Sequence, residues 1–168
     1  MRHSEKESIF IFRKYTKCIY ICDINYFQPL DTFFKTKGFI SSGFLNLTAS
    51  EAYNEAVRNN AVIVDVREER LTGYKCFDVP EVIYIPKSRI AEEYLNLPAD
   101  KPLIIADSVG LRSHEVMEFL LEMGFTNIAN LAGGIVEWER DGQPLKIDVT
   151  EQLDGSCVCQ LRPRHKRR

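Results

Sequence analysis

The sequence predicts an α/β fold: a small, mostly parallel sheet with helices on both faces. Two observations carry that prediction. Short, continuous apolar runs recur at Ala61-Val62-Ile63-Val64, Val82-Ile83-Tyr84-Ile85 and Leu103-Ile104-Ile105-Ala106. Runs of this kind suit strands buried on both faces rather than strands with one wet side. Between and after them lie segments with helical spacing, and strands that alternate with helices imply parallel pairing.

The elements follow in order. Residues 1–46 are aromatic-rich without one clean period, so no firm structure is assigned to them, although Ile9, Phe10, Ile11, Tyr20 and Ile21 favour a strand within 9–22. At Thr48 the signal sharpens. Thr48 and Glu51 form a capping box, and Ala49, Ala52, Ala56 and Val57 follow at helical spacing, with a stop near Asn59-Asn60. The first strand run comes next. Pro80 and Pro86 bound the second, and Lys101-Pro102 precedes the third. Residues 107–112 form a glycine-containing loop. A helix then carries Val116, Phe119, Leu120 and Met123 on one face, with Gly124 past its end. Asn127-Ile128-Ala129 reads as a fourth strand. Leu131-Ala132-Gly133-Gly134 turns into a last helix around Ile135 to Arg140, closed by Asp141-Gly142 and Pro144. Residues 150–168 lack apolar periodicity and read as a flexible tail. The division is 1–46 as an extension, 47–145 as the folded domain and 146–168 as a basic tail.

Composition agrees. The 168 residues are 45% hydrophobic and 27% charged, which suits one soluble domain with an appendage and excludes wholesale disorder or a membrane bundle. The net charge of −2 conceals a segregation. Residues 1–38 carry +3, residues 39–160 carry −10, and the last eight carry +5. Five cysteines, at 18, 22, 76, 157 and 159, form an odd and uneven set. No signal-like run precedes them, because Arg13 and Lys14 break the apolar stretch at once. Reduced thiols in a cytoplasmic compartment are expected. No stretch approaches the roughly 18 apolar residues of a membrane span.

Ligands of open α/β sheets bind at the carboxyl ends of strands. The loop Asp107-Ser108-Val109-Gly110-Leu111-Arg112-Ser113 occupies that place. Its backbone N–H groups and the following helix N-terminus should form a positive cradle for an anion, with Arg112 adding a fixed charge. Many loops of this kind merely turn the chain.

From Leu47 to Leu145 the chain resembles a single rhodanese-like domain. The resemblance rests on Asp65-Val66-Arg67-Glu68, Val79-Pro80 leading to Ile85-Pro86, Gly110 with Arg112-Ser113, Gly124-Phe125, and Leu131-Ala132-Gly133-Gly134-Ile135 leading into Trp138. It implies the rhodanese fold and a sulfurtransferase ancestry. It also implies a nucleophilic, persulfide-carrying cysteine at the first position of the loop. Here that position is Asp107, and neither Ser108 nor Val109 is a thiol. The family's usual His before the Pro is Asp78, and the usual Gly after it is Glu81.

A cysteine in such a cradle is a reactive thiolate. A carboxylate accepts the same hydrogen bonds but is a poor nucleophile toward sulfane sulfur. Asp107 should fill the cradle with its own charge and leave external anions weakly bound. An aspartyl nucleophile would need a metal held by further carboxylates, and only Asp65 is a candidate. Ser108 would need a placed base, and His114 in the first helical turn is expected at the surface. Cys76, between Tyr74 and Phe77, reads as packed, and Phe125 and Trp138 read as packing aromatics.

The tail offers a separate thiol chemistry. Cys157 and Cys159 lie one residue apart beside five cations, a setting that favours exposed thiolates. Incidental cysteines in a basic terminus are the plainer reading. Two cysteines and one His fall short of the four ligands of a closed zinc site, so no metal or other cofactor is expected. The tail lacks the aromatic residues that stack on single-stranded bases, so nucleic acid is not expected as a partner. The leading expectation is a non-catalytic module with an unidentified protein partner, acting by binding or regulation in sulfur metabolism. The alternative is a sulfurtransferase that carries persulfide on Cys157 or Cys159 and takes a small sulfur compound.

Overall fold

A computed structural model describes residues 33, 34 and 36–151, with the backbone of 153–154 and 162–163. The strand expected within 9–22, and Cys157 and Cys159, lie outside the described residues.

The central sheet has six strands: β1 (Phe39–Ser41), β2 (Phe44–Leu47), β3 (Val62–Asp65), β5 (Val82–Tyr84), β6 (Leu103–Ala106) and β7 (Ile128–Leu131). Their spatial order is β1-β2-β7-β6-β3-β5. Only β1 runs antiparallel; β2, β7, β6, β3 and β5 are parallel throughout. A separate antiparallel pair joins β4 (Lys75–Phe77) to β8 (Leu145–Ile147). Two short strands, β9 (Leu153–Asp154) and β10 (Arg162–Pro163), also pair antiparallel.

Helices cover both faces, and the inner strands β3, β6 and β7 therefore send alternate side chains into two cores. Ile63, Ile104, Ala106, Ala129 and Leu131 point into one core with Phe34, Phe77 and Trp138. The helices over that face are α1 (Ala49–Arg58) and α5 (Gly134–Arg140). Val62, Val64, Leu103, Ile105 and Ile128 point into the other, under α3 (Ile90–Glu93) and α4 (Arg112–Glu122). Burial on both faces is the physical reason the strands are uninterrupted apolar runs. A short helix, α2 (Glu69–Thr72), completes the set.

Local chemistry explains the boundaries. Thr48 caps α1 by accepting from the Glu51 N–H, while a Glu51 carboxylate oxygen accepts from the Thr48 N–H at 2.9 Å. Trp138 is fully buried, its indole N–H donating to the Pro144 carbonyl at 2.9 Å and its ring meeting Phe77 edge-on at 5.0 Å. Phe125 packs against the second core.

Several expectations need correction. The stretch left unassigned before Leu47 holds two strands of the central sheet, and Phe34 and Leu45 belong to its core. Lys146 and Ile147, placed in the tail, pair with Cys76 and Lys75. The buried stripe of α4 is Ser113, Val116, Met117 and Leu120; Phe119 flanks it and Met123 faces out. Among the described residues no helix is long and apolar enough to cross a membrane.

Candidate functional site

The carboxyl ends of the parallel strands form one rim. Asp107 follows the last residue of β6, at the point where the backbone turns from strand to helix. Its carboxylate is nearly inaccessible, at 2% exposure. One oxygen accepts from the Val109 N–H at 2.9 Å and from the Gly110 N–H. The other accepts from the Arg112 N–H at 2.6 Å, at the start of α4. Aligned amides at a helix N-terminus are where an anion is held best. Here the chain supplies that anion itself.

The loop is seated on the turn that enters α5. The Ile135 N–H donates to the Asp107 carbonyl at 3.0 Å, and the Val136 N–H donates to the Ser108 carbonyl at 3.2 Å. Gly134 is what permits this approach. It has a φ of +57°, and a Cβ there would stand 2.4 Å from the Asp107 carbonyl oxygen and 2.6 Å from the Val109 nitrogen. Gly134→Ala should therefore displace the loop as well as strain the backbone. Gly142 has a similar φ of +70° with nothing within 4 Å of such a Cβ. Gly142→Ala isolates the backbone strain alone, about 1–2 kcal/mol. Thermal unfolding should show Gly134→Ala losing clearly more stability than Gly142→Ala; equal losses would mean the loop is not held by this contact.

The loop residues singled out by the sequence divide. Asp107, Val109, Gly110 and Arg112 build the cradle with carboxylate and backbone. The Arg112 side chain is exposed and makes no ion pair among the described residues. Ser108 is half-buried, and Val109 and Leu111 hold their side chains outward at 42% and 71% exposure. Ser113 is not a cradle donor. It is fully buried, and its hydroxyl donates to Asn130 Oδ1 at 2.6 Å. His114, expected at the surface, is half-buried, stacked on Phe44 and 3.1 Å from Asn130 Nδ2.

Asn46 and Asn130 complete this polar cluster, and neither was singled out by the sequence. Only their pairing across β2 and β7 gives them a role.

Beside the loop, Asp65 and Arg67 form a buried pair. The Arg67 Nη2 donates to Asp65 Oδ2 at 2.6 Å and its Nε donates to Oδ1 at 2.9 Å. Burial pushes the Asp65 carboxyl above its ordinary value, Arg67 opposes that shift, and the negative charge of Asp107 adds to it. The remaining Arg67 donors reach the Lys75 carbonyl at 2.8 Å and the Leu71 carbonyl at 3.4 Å. Asp65 is thus engaged by Arg67, and no group of three metal-ligating side chains occurs among the described residues.

An open cleft of about 440 Å³ lies on the same rim, lined by Glu68, Glu69, Arg70, Pro86, Ser88 and Arg89. Asp78 and Glu81 face away from any such chemistry: Asp78 pairs with Lys146 at 2.9 Å and Glu81 with Lys101 at 2.6 Å. Cys76 is a free thiol, half-buried, 3.8 Å from the Lys146 carbonyl. Burial and the neighbouring Cys76 push the Tyr84 phenol up to about 12.

This fold is shared with known proteins. Residues 48–141, just over half of the chain, match the rhodanese-like domain family. The chain belongs to that family. It is 26% identical over 103 residues to the thiosulfate sulfurtransferase GlpE of Actinobacillus succinogenes, covering 61% of this chain and 91% of that protein. It is 30% identical over 67 residues to a sulfurtransferase of Allochromatium vinosum, covering 40% of this chain and 63% of that protein. The crystal structure of a rhodanese-related protein from Thermoplasma volcanium matches with a TM-score of 0.55 at 28% identity. That match covers 61% of this chain and 98% of the other.

Proposed function

We propose that this chain is a rhodanese-fold module whose loop does no sulfur chemistry, and that it acts by binding or regulation in sulfur metabolism. One observation carries the reading: the Asp107 carboxylate occupies the cradle and accepts three of its backbone hydrogen bonds. An incoming sulfur anion meets a filled site and a like charge. The named sulfurtransferase relatives support the link to sulfur metabolism. The exposed Val109 and Leu111 side chains support a protein partner at the rim. The cysteine usage supports a cytoplasmic setting.

A second reading keeps the chain an enzyme, with Cys157 or Cys159 as carrier. The thiolate would attack the sulfane sulfur of thiosulfate, form a persulfide and release sulfite. The five cations that follow these thiols in the sequence favour it, because neighbouring cations stabilise a thiolate. The Asp107 charge on the rim opposes it.

Intact-protein mass spectrometry after incubation with thiosulfate, with each cysteine mapped, separates the two. The first reading expects no added sulfur at any of the five thiols. Rapid labelling of Cys157 or Cys159, passed on to cyanide, would replace it with the second.

A further inference from the structure

One edge of the central sheet is built like an interior strand. On β1, Phe39 stands opposite Asn46 and Ile40 opposite Leu45. Residues directly opposite share a face. Ile40 therefore lies on the side of the first core, with Leu45, and Phe39 on the side of the second, where Phe44 packs. Both are large and apolar, yet they are 66% and 49% exposed. Successive apolar residues on opposite faces are the pattern of a strand buried on both sides. Here β1 carries that pattern without the burial. The backbone repeats it. Ser42 and Gly43 turn the hairpin with φ of 52° and 81°, so the flanking pair, Ser41 and Phe44, exchanges the closing ladder bonds. Antiparallel pairs alternate, so Ile40 turns its N–H and C=O away from β2. Among the described residues no strand pairs with that outer edge. An open edge of this kind is where a further strand adds.

We propose that Cys18-Ile19-Tyr20-Ile21-Cys22 of this same chain is the neighbour of β1, adding along it as a further strand of the central sheet. The segment lies outside the described residues, and its sequence and its tether select it. Among the first 32 residues, 9–12 and 18–22 are the unbroken apolar runs of four or more. Ile and Tyr favour pleated structure. In a strand, Ile19 and Ile21 take one face and Cys18, Tyr20 and Cys22 the other. One row would cover Ile40 and the other Phe39, so each core gains an apolar border.

The chain also enters the described fold at the right end of the sheet. The Phe33 N–H donates to Asn127 Oδ1 at 3.4 Å, just before β7, and β7 lies two strands from β1. Two strand spacings are about 10 Å. Residues 23–32 join the segment to Phe33 and, extended, reach about 33 Å. The run at 9–12 is shorter and needs a link about twice as long, at a larger closure cost. A second copy of the chain is the rival occupant. With Ile40 alone turning its backbone outward, β1 offers that copy little to hold, whereas a tethered segment binds at high effective concentration. The proposal does not depend on what the Asp107 loop binds.

Nuclear magnetic resonance on the full chain tests it. The Ile40 N–H should exchange at least about a hundredfold more slowly than an unstructured amide. That protection should be the same in dilute and concentrated protein, since a tethered strand does not respond to mass action. Cross-strand Overhauser contacts from the outer edge of Ile40 should fall on residues 18–22. With Ile19→Asp and Ile21→Asp together, Ile40 should exchange freely while Ile63 and Ile104 on the inner strands stay protected. Free exchange of Ile40 in the native chain would overturn the proposal. So would protection lost on dilution, which assigns the edge to a second copy, contacts that fall on 9–12, or protection that survives the double substitution. The native-chain readings decide the matter even if the variant does not fold.

Discussion

Replacing Asp107 with alanine is expected to lower the unfolding free energy by about 3 kcal/mol and to create an anion site that the native chain lacks. Three backbone N–H groups lose a charged acceptor at once. Hydrogen bonds to charged groups contribute about 1.5–3 kcal/mol each, though not additively, and buried donors left unpaired carry the larger cost. An external anion able to enter the vacated cradle would recover part of that loss by binding only the folded state. Sulfate or thiosulfate should therefore raise the melting temperature of Asp107→Ala well beyond its effect on the native chain. Asp107→Cys extends the experiment. It puts a thiol where the cradle stabilises a thiolate, and thiosulfate should add sulfur to that position. If the alanine variant is as stable as the native chain and indifferent to sulfate, the carboxylate is not what fills the cradle, and the non-catalytic reading loses its support.

The sequence carried the parts of the fold that follow from simple periodicity. The runs that became β3 and β6 are apolar because both faces are buried, and the Thr48–Glu51 cap marks α1 within a few residues. The hairpin of β1 and β2 was hidden for the opposite reason. Phe39 and Ile40 face solvent, while the polar Asn46 is buried between Leu45 and Leu47. Alternation fails there because Asn46 is paid off by hydrogen bonds rather than by apolar contact. β8 escaped notice because Lys146 and Ile147 are exposed on an isolated two-stranded pair.

The candidate site was legible to the same degree. A strand-loop-helix junction with glycine and a first-position aspartate implies a filled cradle, and that geometry is present. Ser113 could not be assigned from sequence, since a hydroxyl at a helix start suits an anion or a buried amide equally. The choice is made by Asn130, seventeen residues away and visible only once β7 lies beside α4. Residues that act through such cross-strand contacts leave no local signature.

Arg67→Ala should cost about 3–5 kcal/mol near neutral pH, the usual effect of stranding one partner of a buried ion pair. The side chains of Asp65 and Arg67 are 0% and 4% exposed, so solvent does not replace the missing partner. The pH dependence identifies the cause. Burial already holds the Asp65 carboxyl above its ordinary 3.8 in the native chain. For a carboxyl raised on folding, the folded state binds its proton more readily than the unfolded state. Its contribution to stability is greatest below 3.8 and is lost as pH rises through the raised value. Removing Arg67 raises that value further, so the deficit of the variant should be large at pH 7.5 and much smaller near pH 4. Urea unfolding at the two pH values measures the difference. A deficit of equal size at both would assign the loss to the guanidinium contacts with the Lys75 and Leu71 carbonyls instead. Either way the Asp-x-Arg pair would be a brace for the rim, holding the end of β3 against β4 beside the Asp107 loop. A shrinking deficit would further show that the brace works through the charge of Asp65.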